Sequence, residues 1–228
     1  MSALAIITAR GGSKRIPRKN IRPFAGRPIL LYSIEAALSS GLFDEVMVST
    51  EDPEIAQIAQ NAGAQVPFLR SRETAGDYAS TDDVIREVLD AYAARGKTFD
   101  AFCCIYPTAP FVTAQKLQTA MEMLREADSV MPVVAFSYPV WRGLRLDEQG
   151  RLCYRWPEYA TARSQDLEKL YHDCGQFYLC RTEAFLRYHT MVVPGTVPFV
   201  VPDEEVQDID SPSDWEIAQA KFAVFLNR

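Results

Sequence analysis

Short apolar runs alternate with longer segments of helical period along the chain. The short runs are typical of buried strands, and the longer segments are typical of amphipathic helices. Strands are predicted at residues 4–8, 46–49, 66–69, 101–105, 129–134 and 176–180, and helices at residues 28–38, 53–62, 81–92, 113–126 and from 212 towards the C-terminus. This alternation predicts an α/β fold in which helices cover a mostly parallel sheet.

Several helix starts carry capping signals, in which a short polar side chain precedes the first helical residue and an acid or a proline follows. The signals are Asp52 with Pro53, Ser80 with Asp83, Thr113, and Ser211 with Pro212 and Asp214. Because these signals coincide with the beginnings of periodic segments, they strengthen the prediction of helices there.

The alternation of strand and helix patterns stops over residues 138–171. This segment is rich in Arg, Tyr and Trp and contains a hairpin-like stretch that turns at residues 148–150. We interpret this segment as an excursion from the sheet that forms a dimer element and not a separate domain. Trp141 and Trp156 are assigned to dimer contacts, since aromatic residues are enriched at interfaces. Residues 1–228 are therefore predicted to form a single domain and a homodimer.

Composition narrows the classes of function. The 24 basic and 30 acidic residues give a formal charge of −6, which argues against a nucleic-acid-binding surface. No apolar stretch approaches the roughly 20 residues that span a bilayer, and the N-terminus lacks the basic start of a signal peptide. The five cysteines form no C-x-x-C pair and are interpreted as buried thiols. We expect a cytoplasmic protein with no membrane partner.

A basic, glycine-containing loop follows the first predicted strand. Gly11 and Gly12 allow the backbone to approach a phosphate closely, and Ser13 adds a hydroxyl and an amide. Cations crowd the same stretch, at Arg10, Lys14, Arg15, Arg18 and Lys19. The loop matches neither the Walker A nor the G-x-G-x-x-G pattern. Its place at the carboxyl end of a strand favours a polyanion site such as a triphosphate site, and the alternative is a solvated basic loop.

A second feature lies just before the last predicted helix. In an extended segment Asp208 and Asp210 point to the same side, where two carboxylates can share a Mg²⁺ ion. The alternative is that both acids simply lie near a helix N-terminus, where negative charge is favourable. The metal interpretation depends on pairing this segment with the basic loop.

Residues 9–20 resemble the signature of the CMP-sialic-acid synthetases, the cytidylyltransferases that act on acylneuraminate-type sugars. Further segments match the family in the expected order, at residues 48–50, 69–70, 77–81, 107–110, 173–175 and 208–210. The resemblance covers nearly the whole chain. It implies a Rossmann-like nucleotidyltransferase fold of the glycosyltransferase-A-like type, a three-layer sandwich, together with CTP as substrate and one or two Mg²⁺ ions as cofactor.

The resemblance also implies roles for individual residues. Arg10 and Lys14 would grip the triphosphate and stabilise charge on the α-phosphate, so they are the expected catalytic cations. Asp208 and Asp210 would be the metal carboxylates. The resemblance does not decide the base for the attacking sugar hydroxyl, and the candidates are Asp210 and a metal-bound water or hydroxide. The expected nucleotide-binding residues are Ala9, Arg10, Gly11, Gly12, Ser13, Lys14, Lys19, Asn20, Arg70 and Ser80, and the expected acceptor-binding residues are Tyr106 and Gln176.

The acceptor is predicted to be an acidic nine-carbon sugar. Tyr106, Phe111 and Asp173 make the chain look most like the family members that act on pseudaminic acid, since sialic and legionaminic enzymes usually have Gln, Arg and Asn there. The alternatives are the same reaction on N-acetylneuraminic, legionaminic or 3-deoxy-manno-octulosonic acid, a catalytically decayed nucleotide-binding module, or a structural dimer that binds anions. We interpret His172 and His189 as ordinary hydrogen-bonded or surface histidines.

Overall fold

A computed structural model describes residues 1–226 of the chain. The strands are β1 (Ala3–Thr8), β2 (Pro23–Phe24), β3 (Arg27–Pro28), β4 (Glu45–Ser49), β5 (Ala101–Ile105), β6 (Ser129–Ala135), β7 (Leu144–Leu146), β8 (Leu152–Tyr154), β9 (Tyr171–Asp173), β10 (Phe177–Arg181) and β11 (Val197–Val200). The α-helices are α1 (Leu30–Ser40), α2 (Pro53–Asn61), α3 (Arg72–Ala75), α4 (Thr81–Ala93), α5 (Ala114–Met123), α6 (Thr182–Tyr188) and α7 (Pro212–Phe225).

The main sheet has the strand order β11-β6-β10-β5-β1-β4, and β9 pairs with β6 outside this path. Strands β4, β1 and β5 are mutually parallel, whereas β10 runs antiparallel to both β5 and β6. Because β11 is parallel to β6, the strands β1, β4, β5, β6 and β11 all point the same way. The carboxyl ends of these five strands therefore lie at one edge of the sheet, as the sequence pattern predicts.

Both faces of the sheet are covered, which gives three layers. Along β1, Ala5 and Ile7 face one buried cluster, which includes side chains of α1, α2 and α5. Leu4 and Ile6 face the other cluster, which includes side chains of α4 and α6. Burial on both faces explains why β1 is a continuous apolar run and not an alternating one.

Two local predictions are wrong. Pro28 does not open a helix, because it pairs with Pro23 in the small β2–β3 ribbon and α1 begins at Leu30. Residues 66–69 form no strand, since the contact with β4 ends in an isolated bridge between Met47 and Gln65. Pro67 lies within that run and has no amide to donate to a neighbouring strand, which explains the early end.

The segment 138–171 leaves the main sheet and returns to it through β9, which pairs with the end of β6. Its hairpin, β7 with β8, encloses the predicted turn. Apolar side chains on this segment are exposed, at Tyr138, Leu144, Leu146, Leu152 and Tyr154. Within residues 1–226, none of the helices combines the length and the apolar character that crossing a membrane requires.

Candidate active site

A polar cavity of about 440 Å³ lies at the edge of the sheet where the parallel strands end. The loops that follow β1 and β5 contribute to its wall, together with the segment that leads into α4 and the segment that leads into α7. The predicted site residues that line it are Arg10, Ser13, Lys14, Lys19, Asn20, Arg70, Ser80, Tyr106 and Asp210. The fold therefore brings the N-terminal basic loop and the C-terminal acidic segment to one site.

The basic loop is held in shape by hydrogen bonds to its own residues and to the core. The Ala9 amide donates to the Ser49 carbonyl oxygen over 2.9 Å, which continues the pairing of β1 with β4. The buried Asn20 side chain donates to the Arg10 carbonyl oxygen over 2.8 Å and so closes the loop on itself. Arg18 adopts a left-handed conformation at φ 56°, which turns the chain into the short helical turn at residues 19–21.

Arg10 and Lys14 both form ion pairs with Asp77, which lies on the opposite wall. The Arg10 guanidinium is 3.1 Å from one Asp77 carboxylate oxygen, and the Lys14 ammonium is 2.5 Å from the other. Arg10 also donates to the Gly76 carbonyl oxygen over 3.4 Å. The hydrogen bond from Lys14 is the main cause that holds the pKa of Asp77 below its ordinary value. One carboxylate thus bridges the two cations assigned to the triphosphate.

Asp210 forms the corresponding contact on the other side of the cavity. Its carboxylate is 2.7 Å from the Arg15 guanidinium and 3.7 Å from the Lys19 ammonium. Lys19 also donates to the Ile209 carbonyl oxygen over 2.7 Å. Burial lowers the pKa of Lys19 although Asp210 and Asp208 act in the opposite direction. The loop and the acidic segment are therefore joined through Lys19.

The acidic segment has the donor chemistry of a magnesium site. Burial raises the pKa of Asp208, and the negative charge of Asp210 raises it further, so a cation between them would relieve an existing repulsion. Among residues 1–226 there is no cluster of three or more carboxylate, His or Cys side chains that could enclose a metal. Mg²⁺ commonly takes only one or two carboxylates and completes its shell with phosphates and water, so two aspartates fit such an ion.

Arg70 and Ser80 line the cavity, and both also form hydrogen bonds within the protein. The buried Arg70 guanidinium donates to the Ser49 hydroxyl over 3.0 Å and to the Ser49 carbonyl oxygen over 2.7 Å, and burial lowers the pKa of Arg70. The Ser80 hydroxyl accepts from the Asp83 amide over 3.1 Å and donates to the Asp83 carboxylate over 2.8 Å. Ser80 is thus the N-cap of α4, as predicted, and it presents that helix terminus to the cavity.

The two candidate acceptor residues lie in different places. Tyr106 lines the cavity, with its hydroxyl 3.3 Å from the Thr81 hydroxyl, and burial raises its pKa. Gln176 is buried and does not line the cavity; its side-chain amide donates to the Glu205 carbonyl oxygen over 2.6 Å. The Tyr106 amide donates to the Gln176 carbonyl oxygen over 2.9 Å, so Gln176 supports the strand end beneath Tyr106.

The structure places four more of the predicted residues behind or beside the cavity wall instead of on it. Ala9 is fully buried, and the Gly11 amide donates to the Glu51 carboxylate over 2.7 Å. Gly12 and Asp208 also fall outside the lining set. In this arrangement these four residues would not contact a ligand in the cavity directly. The side chains of Arg10, Ser13 and Lys14, in contrast, already face the cavity.

The comparisons with known proteins decide the family. A family model described as cytidylyltransferase matches residues 4–192, which is most of the chain. The chain belongs to the cytidylyltransferase family. It is therefore a nucleotidyltransferase, as the sequence predicts.

Individual relatives cover the cytidylyltransferase chain almost end to end. A pseudaminic acid cytidylyltransferase from Campylobacter jejuni is 40% identical over 226 residues, which is 98% of this chain and 97% of that protein. A CMP-N,N'-diacetyllegionaminic acid synthase from Legionella pneumophila is 35% identical and covers 96% of this chain and 95% of that protein. Both alignments extend beyond the family model.

Solved structures confirm the fold of this cytidylyltransferase. A CMP:2-keto-3-deoxy-manno-octonic acid synthetase complexed with CTP superposes with a TM-score of 0.70 at 20% identity, covering 99% of this chain and 100% of that one. A 4-diphosphocytidyl-2C-methyl-D-erythritol synthase from Anaerococcus prevotii superposes with a TM-score of 0.63 at 14% identity, covering 100% and 99%. At such identities the likeness concerns the fold alone.

Several residues that line the cavity have no predicted role. Arg15 belongs to the predicted cation cluster without a role of its own, and Asp77 and Thr81 lie in the segment that matches the family at residues 77–81. An exposed aspartate between two helices carries no sequence signal of its own, so only the fold reveals that it meets the loop cations. Neither His172 nor His189 lines the cavity; His172 packs against Phe136 with ring centroids 4.8 Å apart.

Proposed function

We propose that this chain transfers CMP from CTP to the anomeric hydroxyl of pseudaminic acid, forming CMP-pseudaminic acid and pyrophosphate. The observation that carries the proposal is the meeting of Arg10, Lys14 and Asp210 around one polar cavity at the carboxyl edge of the sheet. Open α/β sheets bind ligands at this edge, and the loop cations supply the charge that a triphosphate needs.

The choice of acceptor is supported by similarity and by one position in the wall. The Campylobacter jejuni relatives that are 40% and 39% identical carry the name pseudaminic acid cytidylyltransferase. Tyr106 stands in the cavity wall where sialic enzymes usually have Gln. Phe111 is buried against Phe222 and Phe225 instead, so its difference from the usual Arg acts through packing against α7.

The reaction needs positioning and charge neutralisation, and a covalent intermediate is not required. Arg10 and Lys14 would hold the triphosphate and stabilise charge that develops on the α-phosphate. Lys19 would engage the nucleotide or the departing pyrophosphate, since it reaches the cavity from the acidic side. Ser13, Asn20, Arg70 and Ser80 would complete the nucleotide site, and Asp210 would accept the proton of the attacking hydroxyl.

The proposal includes magnesium. Asp208 and Asp210 would hold the ion, which would supply positive charge to the triphosphate and to the departing pyrophosphate. The raised pKa of Asp208 beside Asp210 supports a cation there. In this proposal the metal ion replaces Arg15 and Lys19 as the partner of the Asp210 carboxylate.

We also propose a homodimer and a cytoplasmic location. Residues 1–228 act as one domain, and the segment 138–171 pairs two copies through its exposed apolar side chains. Trp141 packs on Trp156 with ring centroids 5.6 Å apart, and neither residue lines the cavity. Five free cysteines fit a reducing cytoplasm.

The test is a pyrophosphate-release assay that crosses CTP, ATP, GTP and UTP with pseudaminic, legionaminic and N-acetylneuraminic acids, each with and without Mg²⁺. We expect release that depends on both CTP and pseudaminic acid and that is abolished by a chelator. A chelator-resistant rate would contradict the magnesium assignment only.

Two other outcomes separate the alternatives. If pyrophosphate release were fastest with legionaminic or N-acetylneuraminic acid, that sugar would be the acceptor, and the class of reaction would stay as proposed. Absence of sugar-dependent release with CTP would contradict the enzyme proposal and favour a nucleotide-binding module.

A further inference from the structure

The loop that follows β4 supplies a carboxylate to the back of the basic loop. Glu51 accepts a hydrogen bond from the Gly11 amide over 2.7 Å through one carboxylate oxygen. The other Glu51 oxygen is buried without a hydrogen-bond partner among the described residues. Burial of a carboxylate costs free energy unless its contacts compensate, so this contact is a specific feature of the loop and not an incidental surface pairing.

The neighbouring residue, Asp52, forms a wall against Gly11. A Cβ atom added to Gly11 would lie 2.6 Å from an Asp52 carboxylate oxygen, which real side chains do not tolerate. Asp52 is itself fixed, because it accepts from the Glu54 and Ile55 amides over 2.9 and 3.1 Å as the N-cap of α2, and it also pairs with Arg18. Among residues 1–226, no atom lies within 4 Å of a Cβ built on Gly12. The close approach is thus confined to Gly11.

These contacts decide which groups of the loop face the ligand. Because the Gly11 amide is used by Glu51, it is not presented to a phosphate oxygen. The side chains of Arg10, Ser13 and Lys14 lie on the opposite side of the loop, in the cavity wall. The hydrogen bond of Glu51 therefore acts on the ligand site through the shape of the backbone.

The charge of Glu51 has a separate effect from its hydrogen bond. A carboxylate behind the loop opposes the approach of a triphosphate, although it also stabilises the buried charge of Arg70. A glutamine at this position keeps an oxygen acceptor for the Gly11 amide but removes the charge. The two effects can therefore be separated by substitution.

We propose that Glu51 is the positioning residue of the nucleotide-binding loop, which it holds in the ligand-binding shape by accepting the Gly11 amide. This inference rests on the proposed function, since the ligand of the loop is taken to be the triphosphate of CTP. Asp52 supplies the wall that makes a glycine necessary at position 11.

The test compares CTP affinity, kcat and thermal midpoint in Glu51→Ala, Glu51→Gln and the matched control Glu54→Ala. Glu54 lies on the same segment, is exposed, and contacts Arg18, which keeps Asp52 as its partner. We expect Glu51→Ala to raise the Kd for Mg-CTP by about ten- to a hundredfold, since the hydrogen bond from the Gly11 amide to a charged carboxylate is lost. Glu51→Gln and Glu54→Ala should stay within about threefold of the parent, because the Gly11 contact survives in both.

Hydrogen exchange at the Gly11 amide gives a readout that does not depend on catalysis or on a ligand. Protection should persist in the parent and in Glu51→Gln and be lost in Glu51→Ala. If Glu51→Ala does not fold, Glu51→Asp serves instead, because it keeps the charge on a side chain one methylene too short to reach. The same loss of protection and of affinity is expected for it.

The inference is overturned if Glu51→Ala binds Mg-CTP as the parent does, or if Glu51→Gln is as weak as Glu51→Ala. Unchanged Gly11 protection in Glu51→Ala also overturns it. A parent protein that binds no CTP contradicts the proposed function, and the exchange measurement then still tests whether Glu51 holds the loop.

Discussion

Two aspartates meet the same basic loop from opposite sides of the cavity, and their surroundings differ. Asp77 pairs with Arg10 and Lys14 in the open, where the Lys14 side chain is 78% exposed. Asp210 pairs with Arg15 and Lys19, and the Lys19 side chain is only 22% exposed and is also bonded to the Ile209 carbonyl oxygen. The two aspartates are almost equally exposed, at 44% and 41%, so the difference lies in their partners: Lys14 is solvated, whereas Lys19 is held in the packed structure.

These surroundings indicate which of the two carboxylates is replaceable. Exposed ion pairs contribute little to stability and exchange readily for another anion. Asp77 bridges two cations much as a phosphate would, so we expect a triphosphate to displace it. Asp210 lies beside a second carboxylate and an anchored lysine, which suits a permanent member of the site.

The largest expected effect is therefore at Asp210. Asp210→Asn should lower kcat by about a hundred- to a thousandfold, since one preorganised charge of the reacting centre is lost. The thermal midpoint should change little, because the backbone contacts of the segment remain. Asp203→Asn, an exposed acid on the same segment, is the control for kcat in the pyrophosphate-release assay. A near-parental kcat in Asp210→Asn would show that Asp210, like Asp77, is replaceable.

A second prediction concerns Lys19, the buried cation that joins the two sides. Lys19→Met should raise the Kd for CTP by about tenfold, because a charge-assisted contact with the nucleotide is removed. Lys169→Met, at an exposed position, should leave the Kd unchanged. Titration of CTP by calorimetry measures both. Equal Kd values for the two variants would contradict a role of Lys19 in the site.

The same variant has a predictable pH dependence of stability. Burial lowers the pKa of Lys19, so between that pKa and the ordinary value of 10.5 the unfolded chain binds more protons than the folded one. The contribution of Lys19 to stability therefore rises with pH across this window. Thermal midpoints at about pH 7.5 and about pH 10.5 should show that the stability of the parent rises relative to that of Lys19→Met at the higher pH.

Local signals in the sequence were sufficient for most of the fold. Helix α4 has the predicted capping box at Ser80 and the predicted buried face from Val84 to Tyr92, because both depend only on residues near in sequence. The prediction at residues 66–69 is wrong for a local reason that was available, the proline inside the run. The start of α1 is wrong because pairing of Pro28 with Pro23 depends on a ribbon that periodicity does not reveal.

The candidate site was predictable where chemistry is concentrated in a few adjacent residues. The cations of the basic loop and the aspartates before α7 stand out by density of charge, and the fold brings Asp210 to Arg15 across 195 positions of sequence. Which groups face the cavity was not predictable. Gly11 and Gln176 have the residue types of ligand contacts, yet the Gly11 amide donates to Glu51 and the Gln176 side-chain amide donates to Glu205, which only the tertiary structure reveals.

Substitution of Asp77 should have the smallest effect, and it is the one predicted change that tightens CTP binding. Asp77→Asn removes the anion that competes with the triphosphate for Arg10 and Lys14, so the Kd for CTP should fall by about two- to fivefold. The surface variant Asp90→Asn, on α4, should leave the Kd unchanged. Weaker CTP binding in Asp77→Asn would show that Asp77 supports the bound state and would remove the contrast with Asp210.

Salt and pH separate this competition from other causes of tighter binding. The pKa of Asp77 lies below its ordinary value of 3.8, so its ion pairs persist above that value and are lost only as the pH falls through the lowered pKa. The advantage of Asp77→Asn should therefore be constant from about pH 5 to about pH 8. It should shrink as ionic strength rises, because salt screens the exposed pairs that compete with CTP in the parent. An advantage that instead persisted at high salt would mean that the aspartate hinders CTP by its bulk and not by its charge.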